Sequence, residues 1–222
     1  MSDAPVISVR GEAVLEVEPE IARLSVHVRS QESDRRRALD TLAGRNERCL
    51  ELIRSYGDAI ERLETGGLSI TPLLKQKRRD GDVRAYQGTV WIKPVVRDFA
   101  VLGELVTRLG DLERTYVHGP EWDLRRDSDV YARAARQAAQ EAVARARSYA
   151  GALGARLTGL VELSDEGLGR DAGGPVPVRL AAAYGTDAPG GEPEPIDLEP
   201  AAQTVRATVE ARFTATAPDL DA

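Results

Sequence analysis

The stretch YARAARQAAQEAVARARSYAGALG, residues 131–154, constrains the fold most because it predicts a long helix built largely from alanine. Alanine has the highest intrinsic helix propensity of all residues. Small residues recur every three or four positions on one predicted face: Ala135, Ala139, Ala142, Ala146, Ala150 and Gly154. Such a face lets the helix axis approach its neighbour closely. Two interpretations stay open, a helix packed tightly on a sheet and an interface with another subunit, and both can hold on different faces.

The segments around this helix carry the two-residue alternation that is typical of strands. Residues 6–18 and 21–29 each place apolar side chains on one face and mostly polar ones on the other, so each predicts a strand with one wet face. A hairpin near Glu18–Glu20 is the simplest connection between them. Pro94 interrupts a later strand, and because proline cannot donate a backbone hydrogen bond, we expect that strand at an edge or with a bulge.

Two further helices have recognisable ends. The first begins at Ser33, with Asp34 in its first turn, and ends at Gly57. The second is capped by Asp98 and ends at Gly110.

The predicted order of elements is ββαββαβαββ, and its middle contains the split βαβ of ferredoxin-like folds. We therefore expect an α+β fold in which an antiparallel-rich sheet has helices packed on one face. The chain is interpreted as a single domain over residues 1–222, with a long loop rich in Gly, Pro and acidic residues at about 165–200.

Charge and composition argue against several classes of partner. The net charge is −6, and the densest basic runs, ESDRRR at 32–37 and KQKRRDGDVR at 75–84, lack interleaved aromatic residues, so we predict no nucleic-acid binding. No apolar run approaches the roughly 18 residues that a membrane span needs. The N-terminal residues show neither the basic nor the apolar region of a secretory signal, so we expect a soluble, cytoplasmic protein that binds no membrane.

The two histidines are the first candidates for chemistry because their charge changes near neutral pH. His27 lies on the polar face of its strand beside Arg23 and Arg29, and we interpret it as solvated. His118 precedes a Gly-Pro pair on a strand with Trp122 and is either a packed loop residue or part of a groove. Two isolated histidines without a ligand spacing do not predict a metal site.

Two other features suggest chemistry only superficially. Cys49, the single cysteine, lies on the apolar stripe of its helix, which predicts a buried and unreactive thiol. GLGRDAGG, residues 167–174, lacks the spacing of a phosphate-binding loop and is followed by Pro175, so we interpret it as loop alone.

From about residue 6 to residue 215 the chain resembles the SIMPL-domain family. Val9, Gly11 and Glu12, followed by PEIA at 19–22, are similar to the opening of family members, and Asn46 stands where they carry an asparagine in the first helix. VRDFAVLGELVTRLG, GARLTGLVEL, PVPVRLAAAY and PIDLEP resemble later family segments in the same order. Two departures look structurally mild: Glu20 replaces the commoner aspartate, and Pro200-Ala201 replaces the usual Gly-Glu before the last strand.

The resemblance implies an oligomer-forming protein with no established catalytic residues. Some family members are linked to oxidative-stress tolerance and one to kinase signalling, and bacterial members are often exported. We accordingly predict a non-enzymatic, self-associating protein with no catalytic, cofactor-binding or metal-binding residues and no cofactor. The predicted partner is a second copy of the chain, and a further, unidentified protein partner stays open.

Two alternatives belong to other functional classes. The first is a small-molecule-binding protein or cryptic enzyme, with a pocket near His118 and Trp122 under the 165–200 loop. The second is thiol-based oxidant defence through Cys49, which would require an exposed thiolate of low pKa.

Overall fold

Along residues 4–74, 83–165 and 196–220, which a computed structural model describes, seven strands and three α-helices follow one another in the predicted order ββαββαβαββ. Two short 3₁₀ turns, Gly57–Ala59 and Phe99–Val101, complete these elements. The elements are β1 Val6–Val17, β2 Ile21–Glu32, α1 Arg35–Arg54, β3 Ile60–Leu74, β4 Val83–Val96, α2 Leu102–Gly110, β5 Thr115–Asp123, α3 Asp129–Ala152, β6 Leu157–Asp165 and β7 Gln203–Ala215. The loop predicted at about 165–200 lies mostly outside the described residues.

The strands form two antiparallel sheets, where the sequence suggested one. The first sheet has the order β1-β7-β6 and the second the order β3-β4-β2-β5. The predicted hairpin near Glu18–Glu20 was wrong, because β1 pairs with β7, from Val6 opposite Thr214 to Val17 opposite Gln203, while β2 pairs with β4 and β5. The alternation of a strand determines which face is buried, but it does not identify the strand that pairs with it.

Each sheet belongs to its own compact unit. One unit holds β1, α3, β6 and β7, and the other holds β2, α1, β3, β4, α2 and β5 together with residues 196–201. The chain therefore leaves the first unit after β1 and returns to it with α3.

The four-stranded unit confirms the predicted ferredoxin-like split βαβ, since β2-α1-β3-β4-α2-β5 gives the strand order β3-β4-β2-β5. Its apolar core contains Val26 and Ile92 from the sheet and Leu42 and Leu105 from the helices, all fully buried. The N-cap of α1 is Asp34 and not Ser33: the Arg37 N–H donates to Asp34 Oδ1 at 3.0 Å. Aspartate therefore supplies both the cap and the negative charge that the helix N-terminus favours.

Pro94 lies in an interior strand, so the predicted edge position was wrong; the alternative, a bulge, occurs in β3 on either side of the residue opposite Pro94, between Ile60 and Arg62 and between Thr65 and Gly67. β4 runs between β3 and β2, and Pro94 sits opposite Leu63 of β3. On the other side, the β2–β4 ladder is interrupted between Arg23 and Val26, at the level of Pro94. The ring nitrogen has no hydrogen to donate there, which explains how an interior strand accommodates proline.

In the three-stranded unit, α3 packs against β1 and β7 through a row of alanines, which confirms the close-packed interpretation. The buried row is Ala134, Ala138, Ala142, Ala146 and Ala150. The predicted row was shifted at its N-terminal end, since Ala135 is exposed and Ala139 half-buried. Adjacent rows of this helix are equally rich in alanine, so periodicity could not distinguish them. The contact with Gly11 of β1 distinguishes the rows, because a Cβ at Gly11 would lie 2.1 Å from the Ala138 carbonyl oxygen and only the row that contains Ala138 can pack there.

Candidate functional site

The two histidines, far apart in sequence, meet on the open face of the four-stranded sheet. His27 of β2 and His118 of β5 have ring centroids 5.1 Å apart, and Trp91 of β4 meets His27 edge-on with centroids at 6.1 Å. Ser25 Oγ lies 3.1 Å from His27 Nε2, a hydrogen bond whose donor depends on the histidine tautomer. We call Ser25, His27, Trp91 and His118 the histidine cluster.

Cross-strand pairing explains how this cluster forms. In the register of the sheet, Ser25 is opposite His118, and His27 lies between Trp91 and Tyr116 on its two neighbouring strands. Side chains opposite each other on one face of an antiparallel pair approach closely. The sequence could show that His27 was on a polar face, but its neighbours depend on strand order and register.

Burial and positive charge both act on His27. The pKa of His27 is lowered from its ordinary value, first by partial burial and then by repulsion from His118 and Arg29. This environment therefore favours the neutral imidazole over the charged form. Next to it, the Arg29 guanidinium lies over the Tyr116 ring at 4.7 Å from the centroid.

His118 and Trp122 lie on opposite faces of the sheet, and most of the 165–200 loop predicted to cover a pocket near them lies outside the described residues. β5 contains one extra residue relative to β2, because Ser25 pairs with His118 but Arg23 pairs with Glu121. This bulge reverses the alternation of the side chains. Trp122 consequently packs on the apolar core, where its ring meets Phe99 edge-on at 4.9 Å.

The histidine cluster offers hydrogen bonding and aromatic contact. Among the described residues, Ser25 is the side chain that hydrogen-bonds to His27, and no carboxylate orients the imidazole as a nucleophile–base pair would require. Residues 4–74, 83–165 and 196–220 also contain no group of three His, Cys, Asp or Glu side chains placed to hold a metal.

Cys49 is fully buried in the core of the four-stranded unit, as its position on the apolar stripe predicted. Burial raises the pKa of its thiol to about 11. Since the thiolate is the reactive form, this environment opposes reaction with oxidants at neutral pH.

The other sequence candidates contribute little to a site. Of ESDRRR, Glu32 ends β2, Asp34 caps α1, and Arg35 to Arg37 form the first turn of that helix. Of KQKRRDGDVR, residues 75–82 lie outside the described part of the chain, as does all of GLGRDAGG. No helix in the described ranges is both long and apolar enough to cross a membrane.

Strand β6 exposes a surface that the sequence analysis did not single out. Leu160, Val161 and Leu163 are each more than half exposed. Leu160 sits opposite Phe213 and Leu163 opposite Ala211, so both share the face of the sheet that α3 covers farther along. We call Leu160, Val161 and Leu163 the β6 patch.

An open cavity of about 740 Å³ lies beside this strand, within the same unit. It is lined by the C-terminal part of α3, the following turn, the start of β6, and Phe213 of β7. The shortage of large side chains at the end of α3, which the sequence showed as alanine and glycine, is the signal that could have predicted it.

Comparison with known proteins gives one family and distant relatives. The SIMPL family, described as "Protein of unknown function (DUF541)", matches residues 7–213. Two relatives are called "26 kDa periplasmic immunogenic protein", one from Brucella melitensis and one from Brucella abortus; each is 26% identical over 166 residues, which is 72% of this chain. The match spans 66% of the length of these relatives.

Proposed function

We propose that this chain, which belongs to the SIMPL family of unknown function, is a non-enzymatic protein that self-associates and presents the assembled surface to a partner. The observation that carries the proposal is the β6 patch at the edge of the three-stranded sheet. The open geometry of the histidine cluster and the raised pKa of Cys49 support a role that does not depend on catalysis.

The β6 patch has the properties of a strand awaiting a partner. Within the described residues, β6 pairs with β7 on one side, and its other edge carries backbone groups free to pair. Leu160 and Leu163 face one side of the sheet, and Val161, next to Leu160, is also exposed. Long apolar edge strands of this kind favour pairing with another chain.

The β6 strand of a second copy of the chain could form hydrogen bonds with the backbone groups at this edge. Two β6 strands related by a twofold axis would pair antiparallel and join two three-stranded sheets into one of six strands. Such a contact is isologous and closes after two subunits. Fully burying a leucine or valine side chain stabilises by roughly 1.5–3 kcal/mol. The three side chains of the patch are already partly buried, so each would contribute only a part of that energy to association.

Light scattering on a sizing column, at two protein concentrations, tests the proposal. We expect a discrete multimer for the unchanged chain and a smaller species for Val161→Arg, because a charge on the joined sheet would be desolvated. Leu68→Arg, on the edge strand β3 of the other unit, is the matched control, since Leu68 is 60% exposed.

A monomer at both concentrations would contradict self-association. A multimer that dissociates with Leu68→Arg but survives Val161→Arg would instead move the contact to β3.

Location and physiological role are further proposals. We retain the cytoplasm as the predicted compartment, although the Brucella relatives are named periplasmic; fractionation of the native cells with a specific antibody tests this. The proposed role in stress response predicts that deletion of the gene lowers survival under peroxide, and unchanged survival would contradict it.

A further inference from the structure

We propose that the cavity at the C-terminal end of α3 binds a single-chain organic anion of fatty-acid type, with an apolar body and a carboxylate head. This ligand site goes beyond self-association and does not depend on it. The supporting observations are the volume of the cavity, the apolar side chains on its floor and two arginines that have no acidic partner among the described residues.

The cavity has the size and the floor of a small-molecule site. Its volume of about 740 Å³ falls within the roughly 300–1,000 Å³ typical of ligand pockets. Phe213 is 6% exposed, and Val143 and Leu157 are half-buried beside it. These side chains offer an apolar surface to the body of a ligand.

Small residues keep the space open. Ala150, Gly151 and Gly154 line it where α3 ends and turns. A Cβ added at Gly151 would meet no atom within 4 Å, so this helical position faces open space. A larger side chain at Gly151 can therefore enter the cavity.

Two arginines provide the charge that selects an anion. Arg147 and Arg156 both line the cavity, and neither guanidinium forms an ion pair or side-chain hydrogen bond within the described residues. Other arginines of this unit do have acidic partners, such as Arg145 with Glu141 at 2.7 Å. Guanidinium groups bind carboxylates with paired, charge-assisted hydrogen bonds.

The end of α3 does not cancel this positive charge. A helix C-terminus carries partial negative charge on its free carbonyl groups. Here the Ala150 carbonyl accepts from Leu153 and Ala155, and the Gly151 carbonyl accepts from Gly154. Among the described residues, Asp219 lies against Gly154 at this turn and places one carboxylate near the two guanidinium groups.

Isothermal titration calorimetry with decanoate, below its micelle concentration, tests the site on the whole chain. We expect saturable binding of one decanoate per chain and binding of decanol at least about tenfold weaker, because decanol lacks the charge. Arg147→Gln combined with Arg156→Gln should weaken decanoate binding about tenfold and leave decanol binding unchanged. Equal affinity for decanoate and decanol in the unchanged chain would overturn the assignment.

A second test fills the cavity with a larger side chain. Gly151→Leu should abolish binding of both compounds while the circular dichroism spectrum stays that of the folded protein, since leucine favours a helix more than glycine does. Gly44→Leu is the matched control, because a Cβ at Gly44 of α1 also meets nothing within 4 Å. Decanoate binding that survives Gly151→Leu would overturn the site.

Two further measurements separate this proposal from others. Light scattering should give the same mass for the double arginine variant as for the unchanged chain, so loss of the ligand site and loss of self-association are distinguishable. Sedimentation with phosphatidylglycerol vesicles should leave the protein in solution. If the vesicles bind the unchanged chain but not the double arginine variant, the arginines bind a membrane surface and the proposal of a free fatty-acid ligand is overturned.

Discussion

Gly11 of β1 lies so close to α3 that a Cβ on it would sit 2.1 Å from the carbonyl oxygen of Ala138. The same Cβ would lie 2.6 Å from the backbone nitrogen of Ala142. Both neighbours are backbone atoms of a helix that is packed on two strands, so neither can move aside independently. The helix and the strand therefore approach at a distance that glycine alone permits.

Gly11→Ala should destabilise the three-stranded unit. Overpacking a dense interior costs about 1–3 kcal/mol, and we expect a free energy of unfolding lowered by at least that amount. Urea denaturation followed by circular dichroism measures it. Gly44→Ala is the control: it adds a methyl group in open space within α1 and should stabilise by about 0.5–1 kcal/mol. Equal stability of the Gly11→Ala and unchanged chains would show that α3 can shift away from β1.

His27 should titrate below the ordinary histidine pKa. The lowered pKa comes first from burial, then from His118 and Arg29. In His118→Gln, loss of one positive neighbour should raise the pKa of His27, but burial should still keep it below about 6.5. NMR chemical shifts of the imidazole carbon-bound protons against pH give both values. An unchanged His27 pKa in the variant would mean that the two rings do not interact.

The same shift has a consequence for stability with a definite sign. Because the folded pKa is lowered, the unfolded chain binds the proton more tightly, and the contribution of neutral His27 is lost as pH falls below the unfolded value of about 6.5. The slope of stability between that pH and the lower folded pKa should be smaller in His27→Gln. Urea titrations at several pH values test this, and identical slopes in the two proteins would contradict it.

Cys49 should be inert in the folded protein. With a thiol pKa of about 11, only about one part in a thousand is thiolate at pH 8. Ellman's reagent should label Cys49 slowly in buffer and quickly in concentrated urea. The Cys49→Ser variant should consume peroxide at the same rate as the unchanged chain. Rapid labelling in buffer, or slower peroxide consumption in the variant, would revive the hypothesis of thiol-based oxidant defence.

The Arg45–Glu113 ion pair should contribute more than a surface pair. The Arg45 side chain is 12% exposed, donates to the Arg29 carbonyl at 2.9 Å and also pairs with Glu113. Removing the charge in Glu113→Gln should cost about 1–1.5 kcal/mol, because the largely buried Arg45 guanidinium loses its counter-ion while the Glu113 side chain, 68% exposed, is screened by water. Glu104→Gln, whose partner Arg108 is half exposed, should cause no measurable change. Urea denaturation distinguishes the two.

Local patterns predicted the elements well because they depend on neighbouring residues. The order of strands and helices, the split βαβ and the buried position of Cys49 all followed from periodicity and end signals. The division into two sheets did not, since β1 and β7 pair across most of the chain and nothing local in either strand identifies the other.

The site depended on details smaller than any sequence pattern. One extra residue in β5 places His118 and Trp122 on opposite faces, and a regular alternation would have kept them together. The predicted row of alanines on α3 was shifted for a similar reason. The row that is actually buried is determined by its contact with Gly11, which is far away in the sequence. Register and close contacts are tertiary properties, and they determine which residues of the candidate site lie next to each other.

The pairing of β1 with β7 also determines the sequence of events during synthesis. β1 is translated first and cannot pair until β7, at the other end of the described chain, has left the ribosome. The four strands and two α-helices of the other unit are all translated by Arg125, so they can pack together while β1 is still unpaired. Closing such a long loop is slow, and an unpaired strand in the meantime is prone to aggregation. Premature termination before β7 would leave a chain in which the four-stranded unit can fold but the three-stranded unit lacks its central strand.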